Sequence, residues 1–372
     1  MVVMKKHLVL ISNEIAKDKG GIQNLCYQIS TCLPQYYDLT IICTSDSEIG
    51  DEINAKVIKT KATSHEFKAF RLELILKLLM LQHTTKIDCV LAAQYSICIG
   101  CGLLKFFSKV PYVVLGHGNE LLGAVGTNKI KKYLLNLQRK KILDYSNLII
   151  TNSKYTSDLA KAITNNKNIV VIHPPVEHSV LDSVEKIGEP FRLFSISRLI
   201  ERKGIQLVLK ALPAVLEKYP LVHYYVAGSG PYEQELRTLV AKLNISKNVT
   251  FLGKISEQEK ENQYKKCALF LMPSFSIPEQ HSVEGFGIVY LEANAIGKFV
   301  IGAKTGGVPD AIQDGVTGFL AEENSVKSVE QCILHFFSTE FKYSSTECRK
   351  WAFDHSVNKI VIKYKENIDN II

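Results

Sequence analysis

Short runs of mostly branched apolar residues alternate with stretches of helical character, and the alternation occurs twice in 372 residues. In the first half the runs are 8–11, 39–43, 89–92, 112–115, 148–150 and 169–172, with helical stretches at 22–33, 67–81 and 129–143. The second half has runs at 192–196, 223–227, 249–252, 269–272 and 299–301, with helices expected at 205–218, 232–243 and 286–296. Most runs are apolar at successive positions. Such strands are buried on both faces, as in parallel sheets covered by helices. The pattern therefore predicts an α/β chain of two doubly wound, Rossmann-like domains.

The length fits two domains at roughly 100–200 residues each. Between the halves stands Pro174-Pro175, which can continue neither a helix nor a central strand. The expected division is a first domain 1–175, a second 176–355, and a closing segment 356–372 that reads as a helix returning to the first. Two such domains would leave a cleft, with the proline pair as its hinge. Ligands of such sheets bind at the carboxyl ends of the strands.

At 46% hydrophobic and 22% charged residues, the chain is not collagen-like, disordered or stapled by disulfides. Its longest uncharged run, 89–104, falls short of the ~20 apolar residues of a spanning helix. Residues 1–10 lack the long apolar core and cleavage site of a signal peptide. Nine scattered cysteines fit a reducing compartment, and Cys98 and Cys101 read as buried thiols. The expectation is a cytoplasmic protein.

The residues that carry chemistry follow the strands. Lys19-Gly20-Gly21 opens the first helix, where free amides favour an anion. After 192–196 come Ser197-Arg198 and then Lys203-Gly204, a bidentate fork and a point charge suited to a diphosphate. Gly228-Ser229-Gly230-Pro231 follows the next strand but lacks the third glycine of a dinucleotide fingerprint, so it reads as a backbone rim. The strongest segment runs from Glu284 to Glu292 with seven residues between, Gly285 and Gly287 ahead of a helix, and both carboxylates expected on one helix face. Carboxylates of this kind accept pairs of hydrogen bonds from vicinal hydroxyls, as in a sugar or ribose. Thr305-Gly306-Gly307-Val308-Pro309-Asp310 follows the 299–301 strand.

In this order the motifs resemble those of the retaining glycosyltransferases of family 4, which have the GT-B fold, and the likeness extends over nearly the whole chain. The resemblance implies that Arg198 and Lys203 bind the donor diphosphate and stabilise the departing nucleotide. Glu284, with the amides of Phe286 and Gly287, would hold the transferred sugar. Ile288 and Val289 would turn N–H groups to the phosphates, Glu292 would bind the ribose, and the backbone at Lys254-Ile255 would face the base. Gly230 would line the rim, Gly21 would let its loop close over the donor, and His117 would sit near the anomeric carbon. Members often carry His-Asp where this chain has His117-Gly118, leaving Glu120 as a candidate replacement, and often Glu where it has Asp310.

No cofactor is expected. No metal is expected either, because the chain has no Asp-x-Asp and Arg198 and Lys203 would take the metal's place. The partners expected are a nucleotide diphosphate sugar, with UDP or GDP both open, and a saccharide or lipid-linked acceptor. Charge bears on the acceptor. Residues 1–175 hold 22 Lys and Arg against 13 Asp and Glu, the remainder 23 against 24. Lys129, Lys131, Lys132, Arg139, Lys140 and Lys141 fall in one acid-free helical stretch, with Ile130, Leu134 and Leu137 on another face. A basic amphipathic helix suits an anionic membrane surface, and an ordinary solvated helix is the competing reading. A membrane-facing helix would place the protein peripherally on the inner face of the cell membrane, in surface polysaccharide synthesis. Two other functions stay open: a non-catalytic nucleotide-sugar-binding regulator, and a GT-B epimerase. Nucleic acid is not expected, since no aromatic residues interleave with the basic ones.

Overall fold

A computed structural model describes residues 5–17, 20–123, 128–177, 188–339 and 343–372. Lys19 of the first glycine loop and the first four residues lie outside them. The chain forms two compact units, Met1–Pro175 with Val357–Ile372, and Val176–Ser356.

The first unit is built on seven parallel strands: β1 (His7–Ile11), β2 (Asp38–Cys43), β3 (Lys56–Lys59), β4 (Cys89–Ala92), β5 (Tyr112–Gly116), β6 (Leu148–Thr151) and β7 (Ile169–Val171). Their order is β3-β2-β1-β4-β5-β6-β7. Val9 of β1 stands between Thr40 and Val90 of its neighbours. Side chains alternate across the sheet. Leu8 and Leu10 enter one apolar layer with Leu25 and Ile29, while Val9 and Ile11 enter the opposite one with Phe70, Leu74 and Leu78. Burying each such side chain contributes roughly 1.5–3 kcal/mol. Helix Val357–Asp369 completes the first layer with Ile360, Val361, Tyr364 and Ile368. The Tyr37 hydroxyl donates to Asp369 Oδ1 at 2.8 Å.

The second unit repeats the scheme with six parallel strands: β8 (Arg192–Ile196), β9 (His223–Ala227), β10 (Val249–Gly253), β11 (Leu269–Leu271), β12 (Phe299–Ala303) and β13 (Gly318–Ala321). The order is β10-β9-β8-β11-β12-β13. Leu193 and Phe194 again feed opposite layers. In each sheet the winding direction reverses once, between β1 and β4 and between β8 and β11. The crevice beyond the carboxyl ends at such a switch point is where these sheets take ligands.

Several elements were not visible as apolar runs. Strand β3 lies at the sheet edge, with every residue half-buried or exposed. Helix Glu257–Lys266 has almost no apolar residue and is anchored by Ser256, whose side chain accepts from the Glu259 amide. The uncharged run 89–104 is divided between strand β4, a short turn at Tyr95–Ile97 and the start of helix Ile99–Ser108. Among the described residues, no helix is long and apolar enough to cross a membrane. Cys98 and Cys101 are both buried free thiols.

Candidate functional site

The loops that leave β8 and β11 at the second unit's switch point are tied together. The Phe275 amide donates to the Arg202 carbonyl at 2.9 Å. Side chains complete the junction: Glu284 Oε2 accepts from Arg202 Nη1 at 2.8 Å and from Lys203 Nζ at 2.5 Å, with Ser274 Oγ at 3.5 Å. The Gly307 amide, from the loop after β12, donates to the Glu284 carbonyl at 2.9 Å. Three loops thus converge on one residue, Glu284.

All three cluster residues are largely buried. Burial raises the Glu284 carboxyl, but the Lys203 ammonium and Arg202 guanidinium outweigh it and hold the group down to about 2. Burial pulls the Lys203 ammonium below its ordinary range, Glu284 opposes that, and the positive charges of Arg202 and Arg198 add to it. All the Glu284 side-chain contacts fall on Oε2, so Oε1 has no partner among the described residues. Lys203 Nζ spends one N–H on Glu284 and faces Met272 Sδ at 3.7 Å. An ammonium has three donors, so one is left.

Arg198 differs from its neighbours. It is exposed, and its guanidinium makes no hydrogen bond or ion pair among the described residues. Beside it the Ser197 hydroxyl is buried without a partner among the described residues. A cation with no counter-charge and an unsatisfied hydroxyl stand together at the carboxyl end of β8.

The helix after Glu284 spans Ile288–Ala295, two residues shorter at its start than the expected helix. Glu284 precedes it, so the expectation that Glu284 and Glu292 share a helix face is corrected. Gly287 ends the non-helical segment at φ 92°, and a Cβ there would lie 2.4 Å from the Tyr290 ring. Only glycine fits, and a longer helix is blocked. Ile288 and Val289 take the first two helical positions, whose N–H groups have no intrahelical acceptor. Phe286 is buried. Glu292 lies on the helix and faces another element: Oε2 accepts from the Tyr264 hydroxyl at 2.9 Å, and Oε1 is 3.5 Å from Lys260 Nζ.

Gly230 lies against the β8 loop. A Cβ would come within 2.2 Å of the Leu199 carbonyl oxygen, and the Leu199 amide donates to the Ser229 carbonyl at 2.9 Å. The glycine turn therefore shapes the loop that carries Arg198. Ile255 follows β10 half-buried and packs against the same apolar cluster as Ile288 and Val289.

His117 and Gly21 belong to the first unit. His117 follows β5, and its Nε2 lies 2.7 Å from the Ala93 carbonyl oxygen just past β4, next to that sheet's switch point. A carbonyl only accepts, so Nε2 carries the proton. Glu120 Oε1 accepts the His117 backbone amide at 2.6 Å, so its carboxylate is bound to the main chain. Gly21 opens helix Gly21–Cys32 and is exposed, and a Cβ there would meet nothing within 4 Å.

The sequence assigns no role to Arg202, Lys260 or Tyr264, while Ser274 opens the stretch 274–283 expected to shape the sugar pocket. Arg202 adjoins Lys203, but only the approach of the β11 loop singles it out. Tyr264 and Lys260 stand four apart on a helix with no apolar pattern. Among the described residues, no group of His, Cys, Asp and Glu is placed to hold a metal ion.

Two doubly wound parallel units, with a buried cation–carboxylate cluster and a glycine-led helix at the switch point of the second, define a glycosyltransferase architecture of the GT-B type. The chain belongs to glycosyltransferase family 4. The family models described as "Glycosyltransferase Family 4" and "Glycosyl transferases group 1" match residues 19–180 and 177–351. It is similar to the GDP-mannose-dependent alpha-(1-6)-phosphatidylinositol monomannoside mannosyltransferase of Mycolicibacterium smegmatis, 30% identical over 171 residues, which is 45% of this chain and 45% of that protein. A monoacylated-acceptor counterpart in Corynebacterium glutamicum is 37% identical over 138 residues, 37% of this chain and 35% of that one. The matched regions thus span less than half the length of these relatives. The fold is that of Anabaena HepE, solved in complex with UDP, at TM-score 0.77 and 18% identity over 98% of this chain and 100% of that one.

Proposed function

We propose that the protein is a retaining, metal-independent glycosyltransferase. It would move a hexose-type sugar from a UDP or GDP sugar to a hydroxyl of a lipid-linked saccharide, in bacterial surface polysaccharide synthesis. The second unit would bind the donor and the first the acceptor. The single observation that carries this is Arg198, a cation with no internal counter-charge beside the one spare N–H of Lys203. A phosphate held by both would be met by the first-turn amides of Ile288 and Val289.

Negative charge grows on the diphosphate as the bond from the anomeric carbon to its oxygen breaks, and prepositioned donors at that point lower the barrier most. The acceptor oxygen bonds to the same face of the carbon, and its proton passes to the departing phosphate oxygen. Glu284 serves as a hydrogen-bond acceptor for the sugar hydroxyls through Oε1. Held at low pKa by two cations, it is a poor nucleophile. Glu292 is oriented by Tyr264 toward the ribose, and the backbone at Ile255 and Gly230 borders the base and phosphates. Internal packing does not require a glycine at position 21, which supports a close ligand approach there. Among the described residues, Nδ1 of His117 is left for a ligand.

A thermal-shift panel of uridine, guanosine and adenosine diphosphate sugars tests the assignment. The cognate donor at ~100 times its Kd adds ~2.7 kcal/mol of stability. A flat panel would remove the donor-site reading and favour neither the regulator nor the epimerase, since both also bind a nucleotide sugar.

The acceptor reading includes an anionic membrane surface. The relatives' names specify phosphatidylinositol-based acceptors. On helix Lys129–Tyr145, Ile130 and Tyr133 are 74% and 67% exposed, and Leu134 is exposed beside them. Not all its cations are available. Arg139 is buried and donates to the Leu121 carbonyl at 2.8 Å, so it is structural, contrary to its place among the surface cations. Lys140 pairs with Asp144 at 2.9 Å. Lys129, Lys131, Lys132 and Lys141 are left. At ~1 kcal/mol per lysine near an anionic surface, K129Q/K131Q/K132Q should weaken vesicle adsorption about 100-fold in a sedimentation assay. Unchanged adsorption would leave the solvated-helix reading.

A further inference from the structure

Between helices Ile99–Ser108 and Lys129–Tyr145 of the first unit lies a groove of about 630 Å³. Binding cavities for small ligands run from roughly 300 to 1,000 Å³. Its walls are Ile99, Leu103, Phe106, Tyr112, Ile142 and Tyr145. Phe106 of this wall is 65% exposed and stands edge to face at 5.0 Å with Phe107, which is 72% exposed. Exposed aromatic pairs beside an open apolar slot mark a contact surface.

The polar groups around the groove sort themselves. Lys105 Nζ donates to the Tyr145 carbonyl at 2.7 Å and sits 4.6 Å from the Tyr145 ring centroid. Asp144, the one acid among the lining residues, accepts from Lys140, Thr164 and the Asn165 amide. Lys141 lines the groove, is exposed, and makes no hydrogen bond or ion pair among the described residues. Among the residues that line the slot, Lys141 thus carries the one charge without a counter-charge. That complements an anionic head on a hydrocarbon chain, and lysine stems readily lie along such a chain with the charge at the water.

The two glycines of the Ile99–Ser108 helix have different surroundings. A Cβ on Gly100 would approach Leu78 at 3.0 Å, so packing against helix Phe67–Thr84 calls for its absence. A Cβ on Gly102, which lines the groove, would meet nothing within 4 Å. Glycine costs about 0.5–1 kcal/mol in a helix relative to alanine, and internal packing does not require it at position 102.

We propose that this groove binds the hydrocarbon chain of a phosphate-bearing lipid, with the phosphate at Lys141 and Gly102 keeping the floor open. This deepens the membrane-surface reading above and assigns it a chain-binding site.

Equilibrium dialysis with dodecyl phosphate below its micellar concentration tests the site, with inorganic phosphate as a probe of charge alone. Wild type should take up one dodecyl phosphate per chain, at least ten times more tightly than inorganic phosphate. Gly102→Phe fills the floor and should weaken uptake at least tenfold, Gly102→Ala should stay within about twofold, and Lys141→Gln should lose about tenfold. A melting temperature for Gly102→Phe no lower than wild type shows that the fold is intact. Equal uptake by Gly102→Phe and wild type, or equal binding of the two phosphates, overturns the groove. If wild type takes up no dodecyl phosphate yet adsorbs to anionic vesicles, the groove falls and the membrane-surface reading stands. If it takes up dodecyl phosphate but ignores vesicles, the groove stands and that reading falls.

Discussion

Replacing Arg198 with alanine should lower kcat with the cognate donor by about 10²–10³-fold, the usual loss when one preorganised donor to a developing charge is removed. The melting temperature should not move. Arg198 is exposed and makes no hydrogen bond or ion pair among the described residues, so its truncation leaves no partner behind. The two readouts together separate a ligand-facing cation from a structural one. Full turnover in the variant would remove the diphosphate assignment. A fall in both turnover and melting temperature would make Arg198 part of the scaffold.

Glu284→Ala acts in the opposite manner. It leaves Arg202 and Lys203 buried without their shared counter-charge, and breaking a buried pair from one side typically costs 3–5 kcal/mol. For a unit of this size that is a drop in melting temperature of roughly 10 °C. Arg202→Ala should cost less, because Lys203 still neutralises the carboxylate. The pH dependence has a definite sign. The carboxyl is held at about 2 in the folded protein against 4.5 ordinarily, so its contribution is present above pH 4.5 and is lost as pH falls through about 2. Wild type should lose stability over that window, and Glu284→Ala should show a shallower loss. Denaturant titrations at stepped pH measure it, and parallel slopes would show that Glu284 is not ionically held.

Which parts of this molecule were legible follows from where the information resides. Strands buried on both faces, such as β1 and β4, write themselves as continuous apolar runs, and the doubly wound class followed from them. Edge strand β3, Lys-Val-Ile-Lys, is exposed at both ends and looks like any loop. Helix Glu257–Lys266 is held by its cap and its ion pairs, so no periodicity announces it. At the site, Arg198, Lys203 and Glu284 were nameable because Arg198 follows a strand and Lys203 and Glu284 each precede a glycine. Their mutual arrangement was not. The spacing of Glu284 and Glu292 suggested one helix face, but the positive φ of Gly287 starts the helix only after Glu284 and sends the two carboxylates to different partners. Arg139 shows the same limit, since among five lysines nothing in the sequence marks the one cation whose guanidinium turns inward.

The helix Val357–Asp369 has a consequence for biosynthesis. The first unit's core is finished by Ile360, Tyr364 and Ile368, residues that the ribosome adds after the entire second unit. Domains usually settle in order of synthesis, amino-terminal first. Here that order is inverted for the last step: the second unit can close on itself while the first still shows an uncovered face around Leu25 and Ile29, awaiting the tail of its own chain.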